Sequence, residues 1–83
     1  MKLIYFAWVR ERIGKTEEDI ELPPEVKTVS ELLHFLKGRG DGYEQALLHP
    51  DVIRVAINQE HVDHRQPIAD AREIALFPPM TGG

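Results

Sequence analysis

The chain has no cysteine, a single serine and only one apolar run of note, the seven residues Leu3 to Val9. Without cysteine there can be no disulfide framework, no zinc–thiolate site and no cysteine nucleophile. The lone Ser30 sits where a helix begins, with no companion motif for nucleophilic catalysis, so a hydrolase is not supported. Positive charge is in the minority, 10 Lys and Arg against 14 Asp and Glu for a formal net charge of −4. That balance disfavours nucleic acid and anionic membranes, both of which require a clustered positive face. No run is long enough to cross a bilayer. The run from Leu3 ends in Arg10-Glu11-Arg12 rather than at a small-residue cleavage site, so no secretory leader is expected, and the chain is expected in the cytoplasm.

What remains is ordinary for a globular protein: 83 residues, 42% hydrophobic and 29% charged. This length makes one domain, and such a domain buries only about 60–65% of its surface on folding. The run Lys2 to Val9 is rich in β-branched and aromatic residues and reads as a strand. Alternation puts Leu3, Tyr5, Ala7 and Val9 on one face and Ile4, Phe6 and Trp8 on the other. Both faces are apolar, and so short a chain has little with which to cover both. Arg10 to Lys15 reads as a turn or single helical turn. Thr16 to Leu22 reads as a charged edge strand whose Glu17-Glu18-Asp19 is a solvated face, ended by Pro23-Pro24.

Thr28-Val29-Ser30-Glu31 has the form of a capping box, and Val29, Leu32, Leu33 and Leu36 follow as one helical stripe, with Gly38 suited to the far end. Gly38-Arg39-Gly40-Asp41-Gly42 reads as a flexible turn. It follows no strand and lacks a Lys-Ser/Thr, so it is not a phosphate loop, and its Arg-Gly-Asp is read as coincidence. Tyr43 to Leu48 suggests a short second helix, Val52 to Ile57 a strand, Asn58-Gln59 a turn into a short strand at His61 and Val62, Pro67 to Arg72 a loop, and Glu73 to Phe77 the last strand. His61, Asp63 and His64 fit no ligand spacing, and no metal is expected. Two strands, a principal helix and further strands predict an α+β roll with the helix on one sheet face. Ile4, Phe6, Trp8 and Phe77 then share the other face, as a partner interface or as a second core surface. Arg10 and Arg12 beside them are interface rim or solvated turn charges.

The most informative stretch is Phe77-Pro78-Pro79-Met80-Thr81-Gly82-Gly83. Two prolines cannot donate to a sheet, so the strand is expected to stop at Phe77 and residues 78–83 to form an extended, flexible tail of the single domain 1–83. Gly82 and Gly83 lack a Cβ and suit a passage too narrow for other residues, as a terminus that another protein must reach and modify would require.

Phe6-Ala7-Trp8-Val9-Arg10-Glu11, Val55-Ala56-Ile57-Asn58 and Phe77-Pro78-Pro79 to Gly82-Gly83 together resemble the small-subunit family of molybdopterin synthase, whose members have the ubiquitin-like β-grasp fold. The resemblance implies that Gly83 is adenylated by an ATP-using activating enzyme and converted to a thiocarboxylate with sulfur from a donor. That sulfur then passes to cyclic pyranopterin monophosphate, building the dithiolene. It implies a large synthase subunit as partner, in a heterotetramer, with the catalytic pocket on that partner and no cofactor bound by this chain. Gly83 would carry the sulfur and Gly82 would permit tail passage. Phe6, Arg10 and Phe77 match family positions that meet the large subunit, and Trp8, Pro78, Pro79, Met80 and Thr81 complete the expected interface. Asp70-Ala71-Arg72 departs from the Asp-Gly-Asp turn common in the family, and Met80 from a β-branched residue. Two other readings stand beside this one, a sulfur carrier for the thiazole of thiamin and a ubiquitin-like protein modifier or interaction module.

Overall fold

The computed structural model describes residues 1–79, and Met80 to Gly83 lie outside the described residues. In chain order the elements are β1 (Lys2–Tyr5), α1 (Ala7–Ile13), β2 (Glu17–Asp19), α2 (Val29–Lys37), α3 (Asp41–Ala46), a 3-10 turn (Pro50–Val52), β3 (Arg54–Ile57), β4 (Glu60–Val62) and β5 (Glu73–Phe77). The strands form one mixed sheet in the order β2-β1-β5-β3-β4. Only the central β1 and β5 run parallel, with Tyr5 opposite Leu76, so the C-terminal ends of both strands emerge on the same side.

The predicted roll is therefore present: an α+β sheet with a principal helix on one face. Leu3, Tyr5, Val55, Ile74 and Leu76 project from that face against Val9 of α1 and Val29, Leu32, Leu33 and Leu36 of α2, and each is at most 2% exposed. The α2 start is the capping box read from the sequence. The Glu31 N–H donates to Thr28 Oγ1 at 3.2 Å, and the Glu31 carboxylate accepts from the Thr28 N–H at 3.0 Å. At the other end Gly38 has φ −84°, so the helix closes without the left-handed residue a glycine there would permit.

The predicted strand Lys2 to Val9 is corrected. It ends at Tyr5, and Trp8 and Val9 are helical. Ala7 takes a left-handed φ of 51°, which turns the chain out of the sheet. Val9 then becomes fully buried and Ile13, one turn on, packs half-buried against the core. Gly14 at φ 87° ends α1, its N–H donating to the Arg10 carbonyl at 2.8 Å. The two apolar faces that so short a chain could not cover thus belong to two elements at different angles. The turn assigned to Asp41 and Gly42 is the start of α3. There a Cβ on Gly42 would stand 2.6 Å from the Arg12 carbonyl oxygen, so the glycine lets α3 lie against α1.

Glu17-Glu18-Asp19 is an edge strand as expected, but it is not uniformly solvated. The Glu18 side chain is 11% exposed. Its carboxylate accepts hydrogen bonds from the Tyr5 and Tyr43 hydroxyls at 2.7 and 2.5 Å and from Lys15 at 3.2 Å, with Arg39 3.7 Å away. Burial alone pushes this carboxyl up, but the Tyr43, Tyr5 and Lys15 donors outweigh it and hold the group below the usual carboxylate range. Burial and the adjacent carboxylate push the Tyr5 phenol well up in turn. One charged atom pair thereby ties the edge strand to β1 and α3.

The last loop is held by a side chain. Asn58 and Gln59 both have positive φ, 49° and 72°, in the tight turn between β3 and β4. Asn58 Oδ1 accepts from the N–H groups of Arg72 and Glu73 at 2.9 and 3.1 Å. Asp70-Ala71-Arg72 is thus fixed from outside the loop, and β5 begins at Glu73.

Candidate functional site

β5 continues as antiparallel partner of β3 up to Phe77, opposite Arg54, and then stops at Pro78 as the missing N–H groups require. The Phe6 N–H still donates to the Leu76 carbonyl at 3.1 Å. Phe6 and Phe77, at the adjoining ends of the parallel pair, therefore meet: their rings are 6.4 Å apart and edge to face at 82°. Phe6 is 46% exposed, a large apolar side chain left uncovered where the chain leaves the sheet. Pro78 and Pro79 are half-buried beside it.

Alternation along the strands puts Ile4, Ala56, Ala75, Phe77 and His61 on the sheet face away from the helices, with Ile4, Ala75, Ala56 and His61 in one cross-strand row. His61 was not anticipated here. Its ring meets Phe77 edge to face at 5.2 Å, so the aromatic patch has three members. Sheet order brings it there, with β3 alone between β4 and β5, and the local sequence carries no signal of that. Asp63 and His64 do not join it. Asp63 accepts from the Arg65 N–H at 2.8 Å, and His64 Nε2 lies 2.7 Å from the Ile53 carbonyl oxygen.

Trp8, expected beside Phe6, instead lies on α1, partly buried against the core, with the Arg12 guanidinium 4.3 Å over its ring. Arg10 is exposed on the same helix and Arg54 is exposed beside Phe77. Among the described residues neither forms an ion pair. The patch is thus apolar at its centre and basic at its rim, on a protein of net negative charge. The expected site residues Met80, Thr81, Gly82 and Gly83 lie outside the described residues. An apolar groove among Met1, Ile20, Leu22, Pro23, Val26 and Ile68 sits at the opposite end of β1 from Phe6. Among the described residues no group of three or more carboxylates and imidazoles is placed to hold a metal, and no helix is long and apolar enough to cross a membrane.

This patch can hold a recipient, and among the described residues its side chains form no acid–base or nucleophilic pair. Residues 3–83 match the model of the ThiS family. The chain is 34% identical over 83 residues to the Escherichia coli protein described as molybdopterin synthase sulfur carrier subunit, covering 100% of this chain and 99% of that one. Its fold superposes with a TM-score of 0.74 on the putative molybdopterin converting factor, subunit 1, of Pyrococcus furiosus, at 29% identity and covering 94% of each chain. It superposes with a TM-score of 0.70 on the H. volcanii small archaeal modifier protein 1, at 27% identity and covering 95% of each.

Proposed function

The chain belongs to the ThiS family, and we propose that it is the sulfur-carrier subunit of a molybdopterin synthase, a donor that is consumed and recharged while its partner performs catalysis. The observation that carries this reading is the end-to-end similarity to a molybdopterin synthase sulfur carrier subunit, which runs through the Gly-Gly ending. In the proposed cycle an activating enzyme uses ATP to adenylate the Gly83 carboxylate, turning a poor leaving group into a good one. Sulfur from a donor then displaces AMP and leaves a thiocarboxylate. That soft nucleophile replaces the cysteine the chain does not have. Gly82 and Gly83 pass into the large subunit's pocket, where sulfur is transferred to cyclic pyranopterin monophosphate, twice for each dithiolene.

Phe6, Phe77 and the basic rim at Arg10 and Arg54 hold the large subunit, with Trp8 buttressing α1 from behind. Pro78 and Pro79 stiffen the root of the tail, and with Met80 and Thr81 they complete the interface with the large subunit. Positioning the thiocarboxylate is this chain's contribution to rate, and proton transfers belong to groups on the partner. The assembled synthase is read as a heterotetramer in the cytoplasm, with no cofactor resident on this chain.

Reconstitution tests the proposal. The chain, its activating enzyme, ATP and a sulfur source, followed by the large subunit and cyclic pyranopterin monophosphate, should yield molybdopterin in proportion to the carrier supplied. Carrier that becomes thiocarboxylated yet supports only thiazole formation would select the thiamin pathway. The likeness to small archaeal modifier protein 1 favours a second reading, conjugation to other proteins; its mark would be Gly83 joined to lysine amines.

A further inference from the structure

His61 lies on β4, an edge of the sheet, directly opposite Ala56 of β3, and Ala56 lies opposite Ala75 of β5. Two alanines in one row leave room above them. Phe77 reaches in from the next row to meet the imidazole at 5.2 Å, and Ala56 is only 7% exposed although it faces away from the helices. The two rings close over it. His61 itself is exposed, so its outer edge extends the Phe6–Phe77 surface toward any partner seated there.

The charges around the imidazole do not compensate a proton. From β3 the diagonal neighbours are Arg54, which is positive, and Asn58, which is neutral. β5 contributes Phe77 and, further along the same face, Glu73, which is opposite Asn58 rather than His61. On its own strand Glu60 points to the other face. Asp63, two residues on, is engaged by the Arg65 N–H at 2.8 Å and by the Arg65 guanidinium at 3.9 Å. Among the described residues no side chain hydrogen-bonds to the His61 ring.

An imidazole is the side chain that changes charge between about pH 5 and 8. While water covers the face, a charged ring beside Arg54 costs little. Once a partner seals the face, an unpaired imidazolium against Phe77 is a buried charge without a counter-ion, and that is costly. We propose that His61 is the proton-sensitive member of the docking face: neutral, it completes the apolar surface that receives the large subunit, and protonated, it opposes docking. This rests on the carrier reading above, with the large synthase subunit as the occupant.

The test is the affinity of the full chain for the large subunit between pH 7.5 and 5.5, for the wild type, His61→Phe and His61→Gln. His61→Phe keeps an aromatic ring that cannot charge. His61→Gln keeps polarity without charge, and decides the matter should His61→Phe disturb the fold. If docking admits only the neutral ring, wild-type affinity should fall about tenfold between pH 7.5 and 5.5. Both variants should remain nearly flat. His34, His49, His64 and the partner's own groups are common to all three proteins, so the difference isolates His61. A wild type without pH dependence, one that binds more tightly in acid, or an equal slope in the variants would overturn the switch alone. Absence of binding at pH 7.5 by wild type and variants would overturn the carrier reading and the switch with it.

Discussion

Phe6 and Phe77, far apart in sequence, meet edge to face at 6.4 Å because β1 and β5 run parallel and end together. That contact joins the point where the chain leaves β1 for α1 to the point where it leaves β5 for the tail. A partner gripping the two rings therefore grips the root of the tail. Phe6→Asp should raise the dissociation constant for the large subunit at least about tenfold, because the partner would bury an unpaired carboxylate. The unfolding midpoint should barely move, since Phe6 is 46% exposed. Calorimetric titration beside denaturant unfolding checks both halves. Unchanged affinity would remove Phe6 from the interface.

Glu18 supplies a pH-dependent contribution to stability. Its carboxyl is held below the usual range in the folded chain, so the stabilisation is fully present above the unfolded value of about 4.3 and is lost as pH falls through the lower folded value. Glu18→Gln should lower stability at pH 7 by about 1–2 kcal/mol, the scale of hydrogen bonds to a charged acceptor. The difference from wild type should shrink as the solution is acidified below about pH 4. Urea unfolding at pH 7 and pH 3.5 gives both numbers, and an equal deficit at the two values would contradict the assignment.

Gly42 tests the seating of α1. In Gly42→Ala the new Cβ would meet the Arg12 carbonyl oxygen at 2.6 Å, a backbone atom that cannot swing aside. A loss of about 1–3 kcal/mol is expected, as for other overpacked contacts. Because α1 follows Phe6 directly, the same substitution should weaken docking. Thermal unfolding and the titration above measure the two effects.

The legible parts of this fold are those specified by local chemistry. Thr28 and Glu31 announce the start of α2 with their own side chains, Asn58-Gln59 is a turn by residue type, and Pro78 ends β5 because it has no N–H to give. What escaped depends on tertiary packing. Trp8 and Val9 have strand-forming side chains, and only a left-handed Ala7 and the core space beneath Val9 make them helical. Glu18 reads as one of three solvated acids until Tyr5 and Tyr43 converge on it from β1 and α3. His61 joins the site through sheet order, which places β4 two strands from β5. Gly82 and Gly83 were singled out by residue type and family resemblance alone, and they lie outside the described residues.

Intact mass spectrometry of the chain incubated with its activating enzyme, ATP and a sulfur source reads out whether Gly83 carries sulfur. A species in which one oxygen of Gly83 is replaced by sulfur should appear only when ATP is present and revert when large subunit and cyclic pyranopterin monophosphate are added. A chain whose mass never changes under these conditions, or changes only by attachment to the lysines of other proteins, is not a sulfur carrier.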